Sequence, residues 1–119
     1  MSIAVIDYGS GNLKSAAKAL ESAAKNINIS SKIVVTSDPK LIKQSDKIVL
    51  PGQGSFRDCY LGLKKIPGLN ETLNEFVLVK KKPIFGICVG MQLFAKIGYE
   101  SQETEGFGWI DAEVRKINN

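Results

Sequence analysis

Histidine is absent from the 119 residues, and cysteine occurs twice, as Cys59 and Cys88. Two cysteines without histidine are too few for a structural zinc site, and they sit in unlike contexts that do not suggest a disulfide framework. No metal or cofactor is expected. No apolar run approaches the ~18 residues that read as a membrane span. Met1-Ser2 leads straight into an apolar strand, without the basic stretch of a secretory signal. A membrane protein is therefore not expected, and the location is read as cytoplasmic. Charge is not strongly one-sided either: sixteen basic and twelve acidic residues leave a net +4. The longest basic run, Lys80-Lys81-Lys82, reads better as a solvated turn before a buried strand than as a nucleic-acid patch.

What is present is an ordinary globular composition, 44% hydrophobic, in a length that fits one domain. There is no internal repeat, low-complexity tract or linker. Ile3 to Ile6, Lys32 to Val35, Lys47 to Leu50 and Pro83 to Ile87 are short apolar runs without alternation, as expected of parallel strands covered on both faces. Between them lie helical patterns. Asn12 is placed to cap the first, in which Leu13, Ala16, Ala17, Leu20 and Ala24 share one face. Asp38-Pro39 starts a second. Further helices are expected over Phe56 to Leu63, Leu69 to Val79 and Gly90 to Ile97. The tail from Gly106 to Ile117 reads as a strand. The fold class is α/β, a mostly parallel sheet with helices on both faces. Such sheets form sites at the carboxyl ends of their strands. Three loops emerge there: Tyr8 to Asn12, Pro51 to Ser55 and Gly86 to Gly90.

Gly86-Ile87-Cys88-Val89-Gly90 has the form Gly-x-nucleophile-x-Gly between an expected strand and an expected helix, the context of a nucleophile elbow. A nucleophile held in a strained turn needs small neighbours two residues to either side. The helix behind the turn would direct free amides and a positive dipole end at an anion there. The alternative is a buried cysteine beside two packing glycines. In Pro51-Gly52-Gln53-Gly54-Ser55, glycines would let backbone amides approach a ligand and complete an oxyanion hole, although Pro-Gly is also a common turn. Cys59, in a helix without flanking glycines, reads as a small buried hydrophobe.

Three strings, Asp7 to Leu13, Leu50 to Phe56 and Gly86 to Leu93, resemble the glutaminase subunit of imidazole glycerol phosphate synthase, a class I glutamine amidotransferase. So does Glu105 to Ile110, and all occur in that family's order and spacing. Gln53 departs from the pattern, which more often has a small apolar residue there. The resemblance implies that Cys88 attacks the side-chain amide of glutamine, with Val89 and the Gly52-Gln53-Gly54 loop holding the oxyanion through backbone amides. It implies that Gln92 contacts the substrate; otherwise Gln92 is a polar helix residue. It implies that ammonia passes to a (β/α)8-barrel cyclase subunit in a heterodimer serving histidine biosynthesis. Asn12 is then either at that partner interface or a plain helix cap.

Glutaminases of this class pair the cysteine with a histidine and a glutamate, which this sequence does not match. Residues 1–119 are accordingly read as the N-terminal portion of a single amidotransferase domain, inactive alone and marginally stable. Two other readings stay open. One is a non-catalytic module that docks on a cyclase; the other is a related amidotransferase serving another synthase.

Overall fold

The computed structural model describes residues 1–100 and 102–117. Its four apolar runs are the strands β1 (Ser2–Ile6), β2 (Lys32–Thr36), β3 (Lys47–Gly52) and β4 (Ile84–Cys88). They form one sheet in the order β2-β1-β3-β4, with every pair parallel. Helices α1 (Leu13–Asn26), α2 (Pro39–Gln44), α3 (Phe56–Lys64) and α4 (Leu69–Asn74) make the crossovers. Alternate strand residues feed two cores. Ala4, Ile6, Ile48 and Leu50 pack with α2, α3 and α4 through Ile42, Phe56 and Leu73. Ile3, Val5 and Val49 pack with Leu13, Ala16 and Leu20 of α1. Helices thus cover both faces, which is why the central strands carry no polar alternation.

The termini of these helices follow local chemistry. Asn12, Asp38 and Ser55 each accept a backbone N–H of the following helix, from Ser15, Lys40 and Asp58 respectively. The expected helix over Leu69 to Val79 is one helical run whose second half, Glu75–Val79, widens to π geometry. Lys82 is tied down in the turn before β4: its ammonium donates to the Ser45 carbonyl at 3.0 Å and lies 5.4 Å from the Phe76 ring centre.

The expectation of a helix from Gly90 to Ile97 does not hold. The helix α5 spans only Val89–Gln92, and Ala95–Gly98 is a strand, β5. It lies between β6 (Thr104–Glu105) and β7 (Ile110–Val114) in a second sheet. The tail takes the carbonyls a longer helix would have used. Phe107 N–H donates to Leu93, Ile110 N–H to Phe94, Gly108 N–H to Ala95 and Gly106 N–H to Lys96. Gly98 also lies against the Phe56 ring, where a Cβ would approach Cγ to 2.6 Å. The strand-like tail is present, but its regular part is confined to Ile110–Val114, which pairs in parallel with β5. Among the described residues no helix is long and apolar enough to cross a membrane.

Candidate active site

The strand order changes direction between β1 and β3, and the loops that leave their carboxyl ends diverge there. A cleft of about 420 Å³ opens at this edge. Gly11, Asn12 and Ser15 from beyond β1, Pro51 and Gly52 from the end of β3 with Gln53 just past it, and Ile87 and Cys88 from β4 all line it. Three loops distant in sequence thus meet at one thiol.

Cys88 ends β4 and precedes α5, with φ 53° and ψ −122°. A side chain rarely adopts this backbone, which costs of order 1–3 kcal/mol and persists only where packing enforces it. The packing is visible. A Cβ on Gly86 would strike the Met91 backbone, and a Cβ on Gly90 would strike the Leu50 carbonyl. A Cβ on Gly52 would lie 2.6 Å from Gly90 N and 2.8 Å from the Tyr8 hydroxyl. The turn is therefore wedged between its own helix and the backbone of β3. The Cys88 side chain is exposed, whereas Cys59 is buried. The packing alternative for Gly86 and Gly90 is thus true of the glycines but not of the thiol between them.

The remaining candidates divide. Gly52, Gln53 and Asn12 line the cleft with Cys88. Gly54, Val89 and Gln92 are not among its lining residues. Val89 is buried at the first position of α5, where backbone amides have no intrahelical acceptor. With only four residues in α5, the dipole contribution expected from a longer helix shrinks to that of a single turn. Gln92 is half-buried, and its Oε1 is enclosed without a hydrogen-bond partner. Asn12 Oδ1 accepts from Ser15 N at 3.2 Å, so the cap role is realised at the rim of the cleft.

Three residues outside the expected set hold the second loop. Tyr8 is buried, and its hydroxyl donates to the Pro51 carbonyl at 2.5 Å. Ser10 Oγ accepts from Gln53 N–H and donates to Gln53 C=O, each at 2.9 Å. The Cys59 thiol is 3.3 Å from Ser10 Oγ and donates to the Gln53 carbonyl at 3.4 Å. Burial holds the Tyr8 hydroxyl well above its ordinary range, and the nearby Cys59 thiol adds to the effect. The Gln53 N–H is committed to Ser10, so it faces an oxyanion only if that bond opens. These contacts join residues 43 to 49 positions apart, except Cys59 to Gln53, which reaches from α3 back over the loop before it. Among the described residues no group of three or more His, Cys, Asp or Glu side chains could hold a metal ion.

The family described as glutamine amidotransferase class-I matches residues 4–113. Imidazole glycerol phosphate synthase subunit HisH of Pelagibacter ubique is 52% identical over 120 residues, covering 100% of this chain and 56% of the relative. The subunit of the same name from Bradyrhizobium diazoefficiens is 55% identical over 117 residues, and that of Brucella suis 50%. Each of these two alignments covers 98% of this chain and 54% of the relative. The chain thus spans a little over half the length of the curated relatives it matches.

Proposed function

Because this chain belongs to the class I glutamine amidotransferase family, we propose that it is the nucleophile-bearing part of a glutaminase, the ammonia-releasing subunit of an imidazole glycerol phosphate synthase. The observation that carries the reading is the exposed Cys88 at positive φ between Gly86 and Gly90, facing a cleft shared with the β1 and β3 loops. Strain of that kind serves to present a nucleophile and has little use in a scaffold.

In this reading Cys88 Sγ bonds to the amide carbon of a glutamine side chain, and the carbonyl electrons move onto oxygen. Backbone amides of Val89 and the Gly52-Gln53-Gly54 loop stabilise that oxyanion, that of Gln53 once it is released from Ser10. When the carbonyl reforms, the C–N bond breaks and ammonia leaves with the proton given up by the thiol. Water then cleaves the thioester, giving glutamate and restoring the thiol. By the same resemblance Gln92 contacts the substrate, which requires its enclosed Oε1 to turn toward the cleft. A base must carry the proton, and no histidine of this sequence can do so. The resemblance assigns that role to a histidine–glutamate pair outside the matched strings. The partner is a cyclase subunit with a (β/α)8 barrel, reached from the cleft edge where Asn12 lies, and neither nucleic acid nor membrane takes part.

One competing reading is a docking module that does no chemistry. Treatment with an electrophilic glutamine analogue, followed by peptide mapping, separates the two. A single adduct on Cys88, lost in Cys88→Ser and competed by glutamine, is expected. Labelling no faster than that of a free thiol, and indifferent to glutamine, would leave the docking module as the better account.

A further inference from the structure

Beneath the Pro51-Gly52-Gln53-Gly54 loop lie polar groups that the proposed chemistry does not use. Tyr8 and Cys59 are both buried, at 8% and 2% exposure, yet each directs a polar hydrogen at a carbonyl of this one loop. Burying such groups is costly unless each is satisfied. Phenylalanine and an aliphatic residue would fill the same space without that requirement. What the polar pair adds is orientation. A peptide unit is planar, with C=O and N–H pointing in opposite directions. Holding the Pro51 carbonyl toward Tyr8 therefore turns the Gly52 N–H away from Tyr8. Holding the Gln53 carbonyl toward Cys59 and Ser10 turns the Gly54 N–H away from the buried side. Gly52 is the register partner of Cys88 across the β3–β4 ladder.

We propose that Tyr8 and Cys59 are positioning residues, fixing from below the two peptide planes that aim the loop's amides relative to Cys88. The proposal rests on the reading of Cys88 as nucleophile. Ser10 holds the same loop beside Cys59: its hydroxyl accepts from the Gln53 N–H and donates to the Gln53 carbonyl, 3.3 Å from the Cys59 sulfur. Tyr8 also limits what the loop can do sterically, since a Cβ on Gly52 would lie 2.8 Å from its hydroxyl.

The test uses the 119-residue chain and the variants Tyr8→Phe, Cys59→Ala and Cys59→Ser, each checked for a retained thermal transition. Two quantities are read. The first is amide hydrogen exchange at Gln53, with amides of β1 as internal reference. Loss of one hydrogen bond's net stabilisation predicts about fivefold faster exchange at Gln53 in Tyr8→Phe and Cys59→Ala. Cys59→Ser keeps a donor of similar size and should return exchange to near the parent value. Unchanged Gln53 exchange in both truncations, or a serine variant that behaves like the alanine one, overturns the proposal. The second quantity is the ratio of Cys88 alkylation by an electrophilic glutamine analogue to that by iodoacetamide, which needs no aimed amides. That ratio should fall in Tyr8→Phe while the iodoacetamide rate stays constant. If the parent chain shows no preference for the glutamine analogue, the glutaminase reading fails, and the exchange data still decide whether the loop is held from below.

Discussion

Cys88 carries the largest visible backbone cost in the site, and its substitutions separate that cost from the chemistry. At φ 53° and ψ −122° glycine is nearly free of strain and alanine is not. Relief of about 1–3 kcal/mol, less the ~0.5–1 kcal/mol that glycine loses in chain entropy, should leave Cys88→Gly about 1 kcal/mol more stable than Cys88→Ala. Paired urea titrations give that difference directly; equal midpoints would mean the turn is not strained. Gly90 is the converse case. Its added methyl meets the Leu50 carbonyl, a backbone group that cannot rotate aside. Gly90→Ala should therefore cost about 3 kcal/mol, the upper end of ordinary overpacking, as read from its denaturation midpoint. The elbow was legible in the sequence because its signature is local: two glycines, one cysteine, a strand before and a helix after. The Tyr8, Ser10 and Cys59 grip was not, because the contacts of Tyr8 and Ser10 depend on β1 and β3 being neighbours. Cys59 reads as a buried thiol and is buried, but its contact with Ser10, 49 residues away, has no local signature.

At the level of elements, each crossover begins with a side-chain cap, and the Asn12 cap stands at the rim of the cleft. Ser55 Oγ accepts from Asp58 N at 3.1 Å just after the Pro51–Gly54 loop. Ser55→Ala should lower stability by about 1 kcal/mol, with Ser55→Asp restoring most of it in the same thermal melts. Asn12 gives a sharper contrast, since it was open to two readings. As a cap it tolerates aspartate and loses about 1 kcal/mol on replacement by alanine. A result in which aspartate and alanine are equally harmful would deny the cap. The four parallel strands and their helices could be read from apolar runs bounded by turn residues. The segment after α5 could not. Leu93, Phe94, Ala95 and Ile97 suit either a helix face or a short strand, and periodicity does not arbitrate over so few residues. The choice is made by Phe107, Gly108 and Ile110, whose amides claim the carbonyls of Leu93 to Ala95.

The molecule as a whole should be most stable across a broad neutral window with defined edges. Burial raises the folded-state pKa of Tyr8 and, less strongly buried, of Tyr60. For these acids the unfolded chain releases its proton first. Their contribution is complete below about pH 10, the unfolded value, and is lost as pH rises beyond it. On the acid side the Ser2 backbone N–H, 2.8 Å from the Asp46 carboxylate, lowers that group's pKa. Its contribution is present above about pH 4 and fades as pH falls through the lower folded value. Unfolding free energy should therefore fall above about pH 10, and Tyr8→Phe should flatten that limb. An alkaline limb of unchanged slope in Tyr8→Phe would contradict the assignment. The unlike placement of the two thiols turns the chain into its own stopwatch. A chromogenic disulfide reagent in excess should consume the exposed Cys88 at once. Cys59, at 2% exposure, should react only when the packing around it opens. The amplitude of the slow phase counts the folded molecules; its rate, once it no longer depends on reagent concentration, times how often α3 lifts from the sheet, with no label or mutation added.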